Sequence, residues 1–203
     1  MRRVVITGLG VIAATGKDVP TFFKHLVNAQ SGTRRISLFD PAALSVQIAA
    51  EVPEYRSADY FPPKRLDFID RFTEFALIAA KQAMDSSGLQ VREAERERFG
   101  VVIGSGMGGA VTFDKCYYSL FAQQATRLHP FTIPKIMHNA ATSQICMEYG
   151  AQGPSLAVST ACSSAGHAMG EAFHLIKFGL ADVMMAGGSD TPITYGMIRS
   201  WES

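Results

Sequence analysis

The chain has 203 residues, 47% of them apolar, with 18 glycines and a formal net charge of +1. That length holds one large domain or two small ones, and the composition fits a soluble α/β protein with many tight turns. The near-neutral balance excludes a bulk electrostatic attraction to nucleic acid or to an anionic membrane.

In chain order, residues 3–9 (RVVITGL) predict a first strand that is buried early. Gly8, Gly10 and Ala13 fit G-x-G-x-x-A, but Thr15-Gly16-Lys17 interrupts where the helix of a dinucleotide fingerprint should continue, so that signal is weak. Asp18 to Ala29 reads as a helix, with Val19, Phe22, Phe23, Leu26 and Val27 as its apolar positions, Asp18 as cap and Gly32 as stop. Residues 34–63 read as a surface loop with one strand near Val46–Val52. Phe68 to Ser87 is the clearest long helix. Phe72, Phe75, Ala76, Ala79, Ala83 and Met84 share a face, and Gly88 ends it. The alternating charges of Arg92 to Arg98 read as a solvated helical turn.

Phe99 to Ile103 predicts a buried strand leading into Gly104-Ser105-Gly106-Met107-Gly108-Gly109. This loop contains G-x-G-x-x-G, but no acidic residue ends a second strand about 20 residues on, as a nucleotide fingerprint requires. Such a loop serves close backbone approach to a site equally well, with Met107 as its one bulky, adaptable side chain. Val111 to Leu128 looks helical and aromatic-rich, broken at His129-Pro130 and Ile133-Pro134. Lys135 to Tyr149 reads as one further helix stopped by Gly150, and Gly153-Pro154 as a turn.

The stretch from Ser155 to Asp190 carries the chemistry. Ser155 to Ala161 predicts a buried strand, and Ser163 and Ser164 are helix-capping types. Ala165, Ala168, Met169, Ala172, Leu175 and Ile176 give one apolar helix face, Gly179 ends it, and Asp182 to Gly188 reads as a second buried strand. A strand–helix–strand unit makes the two strands parallel. Cys162 falls at the turn from strand to helix, where unpaired N–H groups and the dipole favour an anion. A thiol placed there loses its proton more easily, and the same N–H groups can hold the oxyanion of an attacked carbonyl. The small neighbours Ala161, Ser163, Ser164 and Gly166 leave room for a substrate. The competing reading is an inert cysteine buried in the core. His167 and His174 lie off the apolar face by spacing and read as surface histidines.

The three cysteines, Cys116, Cys146 and Cys162, have no metal spacing and cannot all pair, which points to a reducing compartment without structural disulfides. No apolar run is long enough to span a bilayer. Met1-Arg2-Arg3 runs straight into the first strand with no signal-peptide core, so the expected location is the cytoplasm.

The run GPSLAVSTACSSAGHA, followed by ADVMMAGGSD, resembles the β-ketoacyl-acyl carrier protein synthases, the elongating condensing enzymes of fatty-acid and polyketide synthesis. RRVVITGLGVI, IDRFTEFALIAA, GSGMGG and HPFTIP resemble the same family in the same order, so the similarity covers essentially the whole chain. The resemblance implies a thiolase-like fold of two similar αβ halves, each a mixed five-stranded sheet between helices, in a homodimer or in a heterodimer with a ketosynthase-like subunit. It implies that Cys162 takes an acyl chain from acyl carrier protein as a thioester. Malonyl carrier protein then loses carbon dioxide, and its carbanion attacks that thioester. The Cys162 N–H would form half of the oxyanion hole. Met107 would gate the acyl pocket, Gly108 and Ser163 would line the substrate path, and Phe131 would approach the partner's pocket across the dimer. Lys64, Arg65 and Arg71 are candidates for docking the acidic carrier. No metal or cofactor is implied.

Family members run to about twice this length, with two catalytic histidines and a lysine in a second half absent here. His25, His129, His138, His167 and His174 match none of those positions. The chain therefore reads as the N-terminal half of a synthase, open to acylation at Cys162 but not competent to condense alone. Rival readings are a coenzyme-A-using thiolase-type enzyme, a noncatalytic half-domain that binds a carrier or a synthase, and a nucleotide-binding domain. The long insertion between Gly104 and Cys162 and the TACSS context favour the elongating kind over the first. An idle Cys162 argues against the second, and only the glycine loops speak for the third.

Overall fold

A computed structural model of the chain describes residues 2–202. In chain order it gives α1 (Val19–Val27), β1 (Arg34–Arg35), β2 (Ile48–Ala49), α2 (Pro63–Leu66), α3 (Arg71–Ser87), β3 (Phe99–Gly104), α4 (Ala110–Tyr117), α5 (Thr132–Ile136), α6 (Ala140–Tyr149), β4 (Ser155–Val158), α7 (Ser164–Lys177), β5 (Val183–Gly188) and α8 (Tyr195–Trp201). Short 3-10 turns cover Ser57–Asp59 and Glu93–Arg98.

The sheet is built on β3. Its six residues are all buried, and β4 and β5 flank it in parallel, in the order β4-β3-β5. The period of two along β3 sorts its side chains between two cores. Val101 and Ile103 join Ile69, Phe72, Leu77 and Ile145 in the cluster formed by α3 and α6. Val102 joins Ala168, Ala172 and Leu175 of α7 on the other face. Val101 and Val102 are 0% exposed, so each contributes about 1.5–3 kcal/mol of apolar burial.

The α/β architecture agrees with the sequence, and β4, α7 and β5 form the expected parallel unit, with β3 inserted between the two strands. The strand inventory differs. Among the described residues five strands form, but in two sheets: the parallel three, and an antiparallel β1–β2 ribbon. The expected first strand is not hydrogen-bonded into either sheet, and Val5 and Ile6 are 61% and 83% exposed. The segment is tied to a helix instead: the Leu9 and Val11 amides donate to Ser86 Oγ and Gln82 Oε1 of α3, each at 3.0 Å. A Cβ on Gly10 would stand 1.8 Å from the Ala79 carbonyl oxygen, so this glycine serves close packing on α3 rather than a nucleotide turn. Ser155–Val158 is an exposed edge strand rather than a buried one, because only its β3 side is paired. β5 is likewise an edge and only partly buried.

Helix limits follow local chemistry. Asp18 caps α1 through the Thr21 amide, as expected. Asp70 caps α3 through the Phe72 amide, so that helix starts at Arg71 rather than Phe68, and Gly88 ends it at φ +65°. The single helix expected over 135–149 is two, because Met137 is extended between α5 and α6. The helix expected over 111–128 is shorter: α4 ends at Tyr117 and widens into a π-type turn at Tyr118–Ala122. On α7, Ala168, Ala172 and Leu175 are buried as predicted, whereas Met169 is 53% exposed.

Candidate active site around Cys162

The chain leaves β4 at Val158 and enters α7 at Ser164, and the five residues from Thr160 to Ser164 make the turn. Ala161 sits at φ +52°, a left-handed conformation that costs a side-chain-bearing residue about 1–2 kcal/mol. Hydroxyls hold the turn in place. Ser164 Oγ accepts from the Thr160 amide at 2.8 Å and donates to the Ala161 carbonyl at 2.6 Å. Ser163 Oγ donates to the Thr160 carbonyl at 2.7 Å. Ser163 is the N-cap residue, but its hydroxyl makes no capping bond, so the two serines lace the turn rather than cap the helix.

Cys162 lies in this turn and is exposed, which removes the reading of a buried core cysteine. It stands two residues ahead of α7, where first-turn amides lack intrahelical acceptors. Cys116 and Cys146 differ from it. Both are half-buried, with Thr132 Oγ1 at 3.8 Å from one sulfur and Ser155 Oγ at 3.2 Å from the other.

The glycine loop reaches the same place because β3 and β5 run in parallel and end side by side, Gly104 opposite Gly188. A Cβ on Gly104 would stand 2.3 Å from the Ser164 carbonyl, so glycine is required for α7 to start against the end of β3. A Cβ on Gly106 would lie 3.4 Å from the Ala161 backbone, which puts the loop in contact with the Cys162 turn. Met107 is half-buried, and the buried Gly108 donates its amide to Ser105 Oγ at 2.9 Å. The loop also packs on α5: the Gly109 amide donates to the Ile136 carbonyl at 3.2 Å. Phe131 is the N-cap residue just ahead of α5, with its ring edge-on to Phe68 at 4.3 Å between centroids. Cys162, Ser163, Met107 and Gly108 thus belong to one neighbourhood, and α5 connects Phe131 to it.

Asp190, which follows β5, was not singled out in the sequence. Its carboxylate accepts from Ser105 Oγ at 2.9 Å, the Gly106 amide at 3.0 Å and the Met107 amide at 2.9 Å. A bound phosphate would need these same amides. With a carboxylate already seated on them, the G-x-G-x-x-G loop is unsuited to a nucleotide.

The three basic candidates do not form one free patch. Lys64 is exposed on α2. Arg65 is engaged, 2.6 Å from Glu148 and 5.8 Å from the Phe61 ring centroid. Arg71 is half-buried at the start of α3 and lines a cavity of about 490 Å³. Lys115, Arg127, His129 and Lys135 line the same cavity and were missed by sequence reading, since only the fold gathers them.

The family model for the N-terminal domain of beta-ketoacyl synthases matches residues 1–203. The chain belongs to the β-ketoacyl synthase family. Among curated relatives, 3-oxoacyl-(acyl-carrier-protein) synthase 2 of Staphylococcus aureus strain COL is 35% identical over 202 residues, which is 100% of this chain and 49% of the relative. The Coxiella burnetii (strain RSA 493 / Nine Mile phase I) protein of the same name is 37% identical over 198 residues, 96% of this chain and 48% of the relative. This β-ketoacyl synthase domain therefore spans about half the length of the curated relatives it matches. The solved ishigamide ketosynthase/chain length factor superposes with a TM-score of 0.90 at 25% identity, covering 99% of this chain and 50% of that one. A β-ketoacyl synthase from Burkholderia phymatum STM815 superposes at 0.85 and 23% identity, covering 100% and 50%, and supports the fold alone.

Four of the five histidines of this synthase domain have partners of their own. His167 Nδ1 is 2.7 Å from Thr160 Oγ1, and His25 Nδ1 is 2.5 Å from the Thr15 carbonyl oxygen. His174 stacks on Phe178, and His129 packs against Phe131. His167 and His174 are exposed, as their spacing predicts.

Proposed function

We propose that this chain is the acyl-accepting, N-terminal half of a β-ketoacyl-acyl carrier protein synthase that serves fatty-acid or polyketide elongation in the cytoplasm. The observation that carries the reading is an exposed cysteine in a laced strand-to-helix turn, within a chain that matches the family from end to end. The Cys162 sulfur attacks the carbonyl carbon of an acyl thioester. The carbonyl electron pair moves to oxygen, held by the Cys162 N–H, and returns as the bond to the carrier sulfur breaks. The proton given up by the Cys162 thiol ends on the carrier sulfur, so the carrier leaves as a thiol, and the acyl group stays on Cys162. Met107, Gly108, Ser163 and Phe131 border the acyl chain. Condensation follows when malonyl carrier protein loses carbon dioxide and its carbanion displaces the Cys162 sulfur. That step needs hydrogen-bond donors for the enolate, and four of the five histidines here, His25, His129, His167 and His174, already serve local structure.

The names of the curated relatives support a carrier-bound substrate. Arg71, Lys115, Arg127 and Lys135 around the 490 Å³ cavity, with the exposed Lys64 on α2, support docking of an acidic carrier, whereas Arg65 is held by Glu148. The solved ishigamide ketosynthase/chain length factor supports a two-subunit assembly with a second copy or a related subunit. No helix among the described residues is long and apolar enough to cross a membrane.

Intact-mass analysis after incubation with acyl carrier protein thioesters tests the reading. One acyl group per chain, lost in Cys162→Ala, is the expected result. A folded chain that stays unmodified overturns it. Labelling by acyl-coenzyme A but not by acyl carrier protein assigns the chain to the thiolase-type alternative. With malonyl carrier protein added, the chain alone yields no β-ketoacyl product.

A further inference from the structure

The end of β5 and the end of β3 lie side by side, and a residue just past β5 reaches the glycine loop. That residue is Asp190, two positions past the strand. Ser189 sets it there, donating its amide to the Gly104 carbonyl at 3.0 Å and its hydroxyl to the Phe72 carbonyl at 2.7 Å. Asp190 then accepts three hydrogen bonds from consecutive residues, Ser105, Gly106 and Met107. Ser105 Oγ passes the constraint on by accepting from the Gly108 amide at 2.9 Å. A glycine-rich loop has much conformational freedom to lose, and charge-assisted bonds to backbone amides are the strong kind. One carboxylate therefore fixes the backbone that carries Met107, beside the turn that carries Cys162.

We propose that Asp190 is a positioning residue for acyl selection: it holds the Gly106–Met107 backbone so that the Met107 side chain sets which acyl chains reach Cys162. This rests on the acyl-accepting role given to Cys162 above. Asp190 touches neither sulfur nor substrate and acts through the loop.

The test compares wild type with Asp190→Ala and Asp190→Asn in the intact chain, using saturated acyl carrier protein thioesters of short to long chain as donors. A small thiol reagent, iodoacetamide, serves as the unselective probe. Iodoacetamide labelling of Cys162 is expected to change by less than about twofold in the variants, since the turn is intact. The ratio of long-chain to short-chain acylation rates is expected to change by about tenfold or more in Asp190→Ala and by less in Asp190→Asn, which keeps one acceptor oxygen. Hydrogen exchange at the Gly106 and Met107 amides is expected to speed up in parallel. Should Asp190→Ala fail to fold, Ser105→Ala removes one donor to the carboxylate and the acceptor for Gly108, and the same shift in ratio is expected. An acylated wild type whose chain-length ratio is untouched in folded variants overturns this inference alone. A folded wild type that no acyl donor labels overturns the role of Cys162 and this inference with it.

Discussion

Thr160 Oγ1 and His167 Nδ1 lie 2.7 Å apart and join the chain just after β4 to the first turn of α7, on either side of Cys162. The bond closes a loop already laced by Ser163 and Ser164. His167→Ala is expected to lower the unfolding free energy by about 0.5–1.5 kcal/mol, the usual worth of one such bond. It is expected to slow acylation of Cys162 by less than about tenfold, because the imidazole steadies the turn and does not meet the thioester. Urea unfolding and acylation kinetics on the same variant check both parts. Loss of acylation to background would make His167 part of the chemistry.

The same turn places Ala161 at φ +52°. Alanine bears this at a cost, and a β-branched residue bears it worse. Ala161→Val is expected to destabilise the chain by about 1–3 kcal/mol and to slow Cys162 labelling by iodoacetamide, since the turn must open to relieve the strain. Thermal melts and labelling rates read the two effects separately.

How far the sequence reached depends on whether a feature is local. β3 was legible because a run such as FGVVI, bounded by polar and glycine residues, has few fates other than a core strand. Cys162 was legible because its strand, turn and helix are contiguous. The exposure of β4 was not, because nothing in Ser155–Val158 says that it has a neighbour on one side only. Residues 3–9 have a strand's pattern, but the described residues offer them no ladder, and the amides of Leu9 and, just beyond, Val11 turn to Ser86 and Gln82. Pro134 looked like a helix breaker, yet it sits in the first turn of α5, where proline lacks nothing the helix needs. Asp190 was invisible because its partners lie 83 to 85 residues away and meet it only through the parallel register of β3 and β5.

Two carboxylates predict the acid limb of the stability profile. The Arg98 guanidinium, and then that of Arg2, holds the Asp182 carboxyl well below the usual carboxylate range. Arg199, then the Ser45 hydroxyl and the Val46 amide, hold Glu202 at about 2. A depressed folded pKa stabilises above the unfolded value, near 4 for these groups, and that contribution is lost as pH falls toward the folded one. The melting temperature is therefore expected to be flat from about pH 7 to 5 and to fall below about pH 4. Asp182→Asn and Glu202→Gln should each flatten the fall, and added salt should weaken the Asp182 part most, because its pair with Arg98 is exposed whereas the Glu202 side chain is only 5% exposed. Melts from pH 7 to 3 at two salt concentrations measure it.

Gly104 links the sheet to the candidate site most directly. It ends β3, and a Cβ there would meet the Ser164 carbonyl carbon and oxygen at 2.3 Å and the Ala165 amide nitrogen at 2.7 Å. These are backbone atoms of the first turn of α7, so no rotamer change relieves the clash. Gly104→Ala must push α7 away from β3 or bend the strand, and overpacking of this kind costs about 1–3 kcal/mol. The displaced helix follows directly on the turn that carries Cys162. The expected result is a fall in the urea midpoint together with a slower acylation of Cys162. Gly166→Ala makes the control: it lies on the same helix, and nothing stands within 4 Å of a Cβ built there. That variant should hold or raise stability, since alanine favours a helix over glycine by about 1 kcal/mol. A Gly104→Ala chain with the stability and acylation rate of wild type would mean that α7 does not rest on β3 as described.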